Sequence, residues 1–200
     1  MRIRIFLCLA PALLVAACQS APTKSGFLKS YSHLEANPEY KSDLVYIKPG
    51  VDMRSYHYLL IDPVQIHLAS DSLAAEFGPD VLEKVAQAFT RILKETIDPY
   101  YTVVDEPGDN VLRVRLAISD VEPTGNDVVR QKPSIGTAAM EGELLDSLTG
   151  EQLAAVVDRI EGSAQGADDV PELWRPVEGA FREWAQRLLD FMDSYHEPAE

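Results

Sequence analysis

The stretch VLRVRLAISDV, residues 111–121, constrains the fold more than any other. Leu112, Val114, Leu116 and Ile118 fall on one side of an extended backbone; Arg113, Arg115 and Ser119 fall on the other. A two-residue period of this kind is a strand with one face in a core and the other wet or partly covered. A chain carrying it must build a sheet and find something apolar to lay against one face. Two helical patterns supply that layer. From GPDVLEK onward, Val81, Val85, Ala88, Ile92 and Leu93 recur at helical spacing, with Leu82, Phe89 and Ile97 widening the stripe. Gly78 suits the N-cap, Pro79 the first helical position, and Asp80 and Glu83 the positive end of the dipole. Near the other end Val177, Phe181, Trp184, Leu188, Phe191 or Met192, and Tyr195 share a side.

Shorter β-branched and aromatic runs, LVYIK, YHYLLID, VQIHL and YYTVVD, read as further strands. TAAMEGELLDSLTGEQLAAVVDRI reads as a hairpin whose turn includes Thr149-Gly150. Residues 120–136 and 161–173 are polar loops. The order predicts an α+β fold, a mostly antiparallel sheet with two long helices packed on one face. No repeat or internal boundary divides the chain, so residues 26–196 are expected to form one domain. The apolar content of 46% is that of a globular protein.

The first 25 residues differ in kind. Arg2 and Arg4 precede an apolar run, Ile5–Ala17, that is too short for the roughly 20 residues of a membrane-spanning helix and is interrupted by Pro11. This is the layout of a signal peptide. Cys8 lies in the apolar run, so cleavage after Ala17 leaves Cys18 as the sole thiol of the remaining 183 residues, and no internal disulfide can form. Leu14-Val15-Ala16-Ala17-Cys18 resembles the lipobox of bacterial lipoproteins: an aliphatic residue, two small ones, then cysteine. The resemblance implies cleavage between Ala17 and Cys18, lipid on the Cys18 sulfur, and anchorage to a membrane by two or three acyl chains. Gln19 takes the place of the aspartate that holds such proteins at the inner membrane, which implies the periplasmic face of the outer membrane. Residues 18–25 are then a lipidated tether, and Phe27, Leu28, Tyr31 and Leu34 are anchors expected to dock on the domain.

Charge and motif narrow the function by exclusion. The net charge is −14, becoming about −16 without Arg2 and Arg4, and such a surface repels nucleic acid. His33, His57, His67 and His196 have no metal-ligand spacing, and no metal or cofactor is expected. No nucleophile elbow and no glycine-rich phosphate cradle is present; Ser119 and Ser147 read as strand and turn residues. Glu141 and Glu143, two apart on one strand, could serve acid–base chemistry, grip a cation, or pair across the sheet with Arg113, Arg115 or Arg159. Trp174, beside a loop, is a candidate contact residue together with these two glutamates.

SGFLKSYSHL, YIKPGVDMRSYHYLLIDPV, VVDEPGDNVLRVRLAISDVEP and MEGELLDSLTGEQLAAVVDR resemble successive blocks of a family of uncharacterised Gram-negative lipoproteins, a domain of unknown function, over residues 25–195. The resemblance implies an envelope location and supplies no catalytic residues. The expected function is a lipid-anchored binding or assembly module whose partners are envelope proteins. An envelope hydrolase using Glu141 and Glu143, and a carrier of a small envelope ligand, are the alternatives.

Overall fold

A computed structural model describes residues 24–72, 74, 77–123, 135–161 and 175–196. Eight strands form one sheet: β1 (Glu35–Asn37), β2 (Ser42–Ile47), β3 (Tyr58–Ile61), β4 (Gln65–Ile66), β5 (Thr102–Val104), β6 (Val111–Pro123), β7 (Ile135–Asp146) and β8 (Gln152–Glu161). Two helices, α1 (Pro79–Ile97) and α2 (Arg175–His196), complete the α+β architecture. The sheet order is β1-β2-β8-β7-β6-β3-β5, with β4 also pairing to β6. From β1 through β6 every neighbour is antiparallel, because β6–β7–β8 is a meander. The β3, β4 and β5 side is parallel, since α1 carries the chain from β4 back to start β5 beside β3. The sheet is therefore mixed, an arrangement the strand patterns alone do not distinguish.

Both helices lie on the face lined by Leu112, Val114, Leu116 and Ile118. Gly78 has the extended backbone of an N-cap ahead of Pro79, and the chain leaves α1 through Asp98 and Pro99. Leu82, Val85, Phe89, Ile92, Leu93 and Ile97 of α1 are buried, as are Val177, Phe181, Trp184 and Met192 of α2. Leu188, Phe191 and Tyr195 sit at the margin of that stripe, partly buried. The helices meet at Phe89 and Phe181, whose rings stack with centroids 4.6 Å apart and planes within 9°. Each such side chain removed from water contributes roughly 1.5–3 kcal/mol before the entropy of ordering it is counted.

Gly142 of β7 lies under this layer. A Cβ there would stand 2.6 Å from Leu116 Cδ2 and 3.1 Å from Val156 Cγ1, so glycine lets these β6 and β8 side chains close over β7, and any larger residue would require them to move. At the far end of β7, Asp146 closes the hairpin, accepting from the backbone N–H and hydroxyl of Thr149, each at 2.8 Å. Gly150 comes next with φ +69°, the left-handed conformation that favours glycine.

Candidate functional site

The opposite face of the sheet is covered by the chain's own N-terminal segment. Phe27, Leu28 and Leu34 are buried there against Ala117, Ala155 and Val157, with Tyr31, Leu44 and Tyr46 packed around them. The small residues of β6 and β8 leave a shallow trough, and residues 24–34 lie in it as a strap.

A carboxylate holds the strap in place. Glu141 projects from the middle of β7 between Ala117 of β6 and Val157 of β8, and is 0% exposed. It accepts the backbone N–H of Ser25, the backbone N–H of Leu28 at 3.3 Å and the hydroxyl of Tyr31 at 2.6 Å. All three donors belong to the strap. Tyr31 in turn accepts the backbone N–H of Gly26 at 2.7 Å, closing a ring of hydrogen bonds over the trough. Burial, and then the hydrogen bond to Glu141, push the Tyr31 hydroxyl up to about 12. His67 touches the strap at Ser25 Oγ, 3.3 Å from its Nδ1, and its ring meets Phe27 edge-on.

Glu143 has a different environment. It is 5% exposed and accepts from Arg115 Nη1 and from Gln152 Nε2 at 2.8 Å. Arg115 also stacks over the Phe27 ring, 5.0 Å from its centroid. Arg113 forks onto Asp62 at 2.8–3.1 Å, and Arg115 lies 3.7 Å from the same carboxylate. Arg159 turns to Asp120 and Glu122. Of the three arginines expected to pair with the glutamates, Arg115 takes Glu143, and none takes Glu141. Both glutamates are buried with donors from their own chain, so neither offers a contact surface to solvent. This corrects the contact role expected of them, and the cause is the strap and the Arg115 side chain lying over them. Cys18, Ala17 and Trp174 lie outside the described residues.

Two features have weak sequence signals. On the helix side Asp158 is 3% exposed and accepts from Trp184 Nε1 and Arg187 Nη1, both at 2.6 Å, and from the backbone N–H of Asp43 at 3.1 Å. Burial pushes its carboxyl up, against the pull of Trp184 and Arg187. Beside it an apolar cavity of about 110 Å³ lies between α2 and the sheet, lined by Ile47, Val156, Trp184, Leu188 and Phe191 among others. Small-molecule sites run to about 300–1,000 Å³, so this space suits a side chain better than a ligand. Among the described residues no cluster of histidine, cysteine or carboxylate side chains could hold a metal. No helix among them is long and apolar enough to cross a membrane.

The fold and site define a class: an α+β domain, helices on one face of a mixed sheet, with its own N-terminal strap latched across the other by a buried carboxylate. The chain belongs to the family described as Protein of unknown function (DUF3313), which matches residues 23–188. No curated protein matches it. Among solved structures it is similar to the PelC dodecamer from Paraburkholderia phytofirmans, with 11% identity, 74% of this chain and 95% of that one covered, and a TM-score of 0.42. It is similar to protein XCC0632 from Xanthomonas campestris, with 11% identity, 75% and 91% covered, and a TM-score of 0.43. A third likeness is to lipoprotein GNA1162 from Neisseria meningitidis, at 9% identity, 68% and 98% covered, and a TM-score of 0.37.

Proposed function

We propose that this protein is an envelope lipoprotein, acylated on Cys18 after cleavage behind Ala17 and held on the periplasmic face of the outer membrane as a binding or assembly module. The strap is the observation that supports this reading. Its first clamped residue, Ser25, stands seven residues after Cys18, so the intervening chain spans at most about 25 Å. A lipid on Cys18 would therefore keep the domain close to the bilayer, with the junction of tether and domain made rigid by Glu141.

The test is metabolic labelling with a palmitate analogue, followed by separation of inner and outer membranes. Label on the wild type, none on Cys18→Ser, and recovery with the outer membrane are the expected results. Label that persists without Cys18, or an unlabelled protein released with the soluble periplasmic fraction, would overturn the reading.

A further inference from the structure

The described residues with exposed large apolar side chains are three, Tyr58 at 42%, Tyr100 at 68% and Leu148 at 60%, and the fold brings them to one end of the sheet. Tyr58 opens β3 and is in register with Thr102, two residues after Tyr100, and with Val111 at the start of β6. Leu148 lies in the β7–β8 turn, whose Ser147 N–H donates to the Val111 carbonyl at 3.2 Å. The order β7-β6-β3-β5 puts these residues across three strand spacings, about 14 Å. Scattered single apolar residues need no explanation, but convergence of three on one end does.

The same end is negative on balance. Asp98 directly follows α1, and Asp105, Glu106 and Asp109 lie in the β5–β6 connection that leads back to Val111; all four are exposed, and among the described residues none of them makes an ion pair. Lys94, in the last turn of α1, is an exposed countercharge, whereas Lys48 and Arg54 are already paired, with Glu151 and Asp52. Both helices also finish at this end. α1 stops two residues before Pro99-Tyr100, and His196, the last residue of α2, packs against Tyr101 and His57. Two helix C-termini add their negative dipole ends to the four carboxylates. Apolar anchors beside four carboxylates, with Lys94 as the countercharge in the last turn of α1, suit a partner of net positive charge.

We propose that this end of the sheet is a docking surface for a basic segment of an envelope protein, its apolar side chains seated on Tyr58, Tyr100 and Leu148 and its lysines or arginines facing Asp98, Asp105, Glu106 and Asp109. Cations over the two tyrosine rings would add to the attraction, and the acidic rim would steer the encounter. The inference rests on the reading of the protein as an envelope assembly module and names the chemistry of its partner.

The experiment uses the full chain in its native cells, with a photoreactive phenylalanine placed at Tyr100, at Leu148, or at Gln87 on the exposed side of α1 as the control. The expected result is one protein captured from both Tyr100 and Leu148 and not from Gln87, with the contact mapped to a stretch containing lysine or arginine. Combining Asp98→Lys with Asp109→Lys should cut the yield roughly tenfold; both sites are exposed and a lysine at Asp98 suits a helix C-terminus, so folding is preserved. Capture of a second copy of this chain, of lipid, or of a partner lacking basic residues at the contact would overturn the proposal, as would equal capture from Gln87. Repeating the capture with Cys18→Ser separates the two readings. Capture that survives loss of the lipid upholds the surface whatever becomes of the anchor, whereas no capture from a properly anchored protein refutes the surface alone.

Discussion

Tyr31 donates its hydroxyl to Glu141 at 2.6 Å, joining the N-terminal strap to the middle of the sheet across 110 residues of sequence. With Ser25 and Leu28 donating to the same carboxylate, a charge that would be costly to bury is fully used by its own chain. The arrangement explains why an acidic residue can stand on a strand between apolar neighbours.

Replacing Glu141 by alanine leaves those three donors without an acceptor, and the strap's simplest relief is to leave the trough. Leu28 amide exchange should rise toward that of an open segment while the amides of β6 and β7 stay protected. Unfolding free energy should fall by about 1–3 kcal/mol. Tyr31→Phe, which removes one donor, should have the smaller effect of the two. Unchanged exchange at Leu28 in Glu141→Ala would show that apolar packing alone holds the strap.

Acid and base act oppositely on two other carboxylates. Asp146 is held below the usual carboxylate range, first by the Thr149 backbone N–H and then by the Thr149 and Tyr56 hydroxyls, so its contribution is present above 3.8 and is lost as pH falls through its depressed value. Asp158 is pushed up by burial, so the folded state binds its proton more tightly than the unfolded chain does. Stability therefore declines as pH rises from 3.8 through the raised value of Asp158. Urea titrations across pH should show Asp146→Asn losing its deficit in acid. Wild type should lose ground relative to Asp158→Asn as pH rises over that window; a parallel pair of curves would remove Asp158 as a titrating group.

Gly142→Ala places a methyl group into Leu116 and Val156. Overpacking of this kind costs about 1–3 kcal/mol. The clash lies on the helix side of the sheet, so thermal unfolding should shift while strap exchange stays at its wild-type rate.

Phe89→Ala removes one ring of the stacked pair that joins α1 to α2. A loss of about 3–5 kcal/mol is expected in urea denaturation. The cost should be strongly non-additive with Phe181→Ala, because the second ring loses its partner with the first.

Much of this is legible in the residues themselves. The helical stripes of α1 and α2 and the alternation of β6 identify the layers, because burial on one side leaves a period in the sequence. Phe27, Leu28 and Leu34 likewise announce a docked segment, since a free linker carries no such apolar surface. Their receptor is not legible. Glu141 has the same parity as Ala139, Glu143 and Leu145, which hints at a carboxylate on a partly apolar face, but its donors lie more than 100 residues away. The parallel side of the sheet is hidden for a similar reason: β3, β4 and β5 are too short for pattern to reveal direction, and only the α1 crossover sets it. Asp158 and Trp184 each fit a plainer role, a strand acid and a core aromatic, until α2 is laid across β8.

The strap also settles how the molecule would bear a pull. Tension applied ahead of Ser25 reaches the Ser25, Leu28 and Tyr31 bonds to Glu141 before it reaches β1, a strand of only three residues at the sheet's edge. The clamp is thus the first link in the load path, and it grips β7, the strand flanked on both sides by the longest pairings in the sheet. Force is delivered to the best-braced part of the domain, and the fragile edge is spared until the clamp lets go.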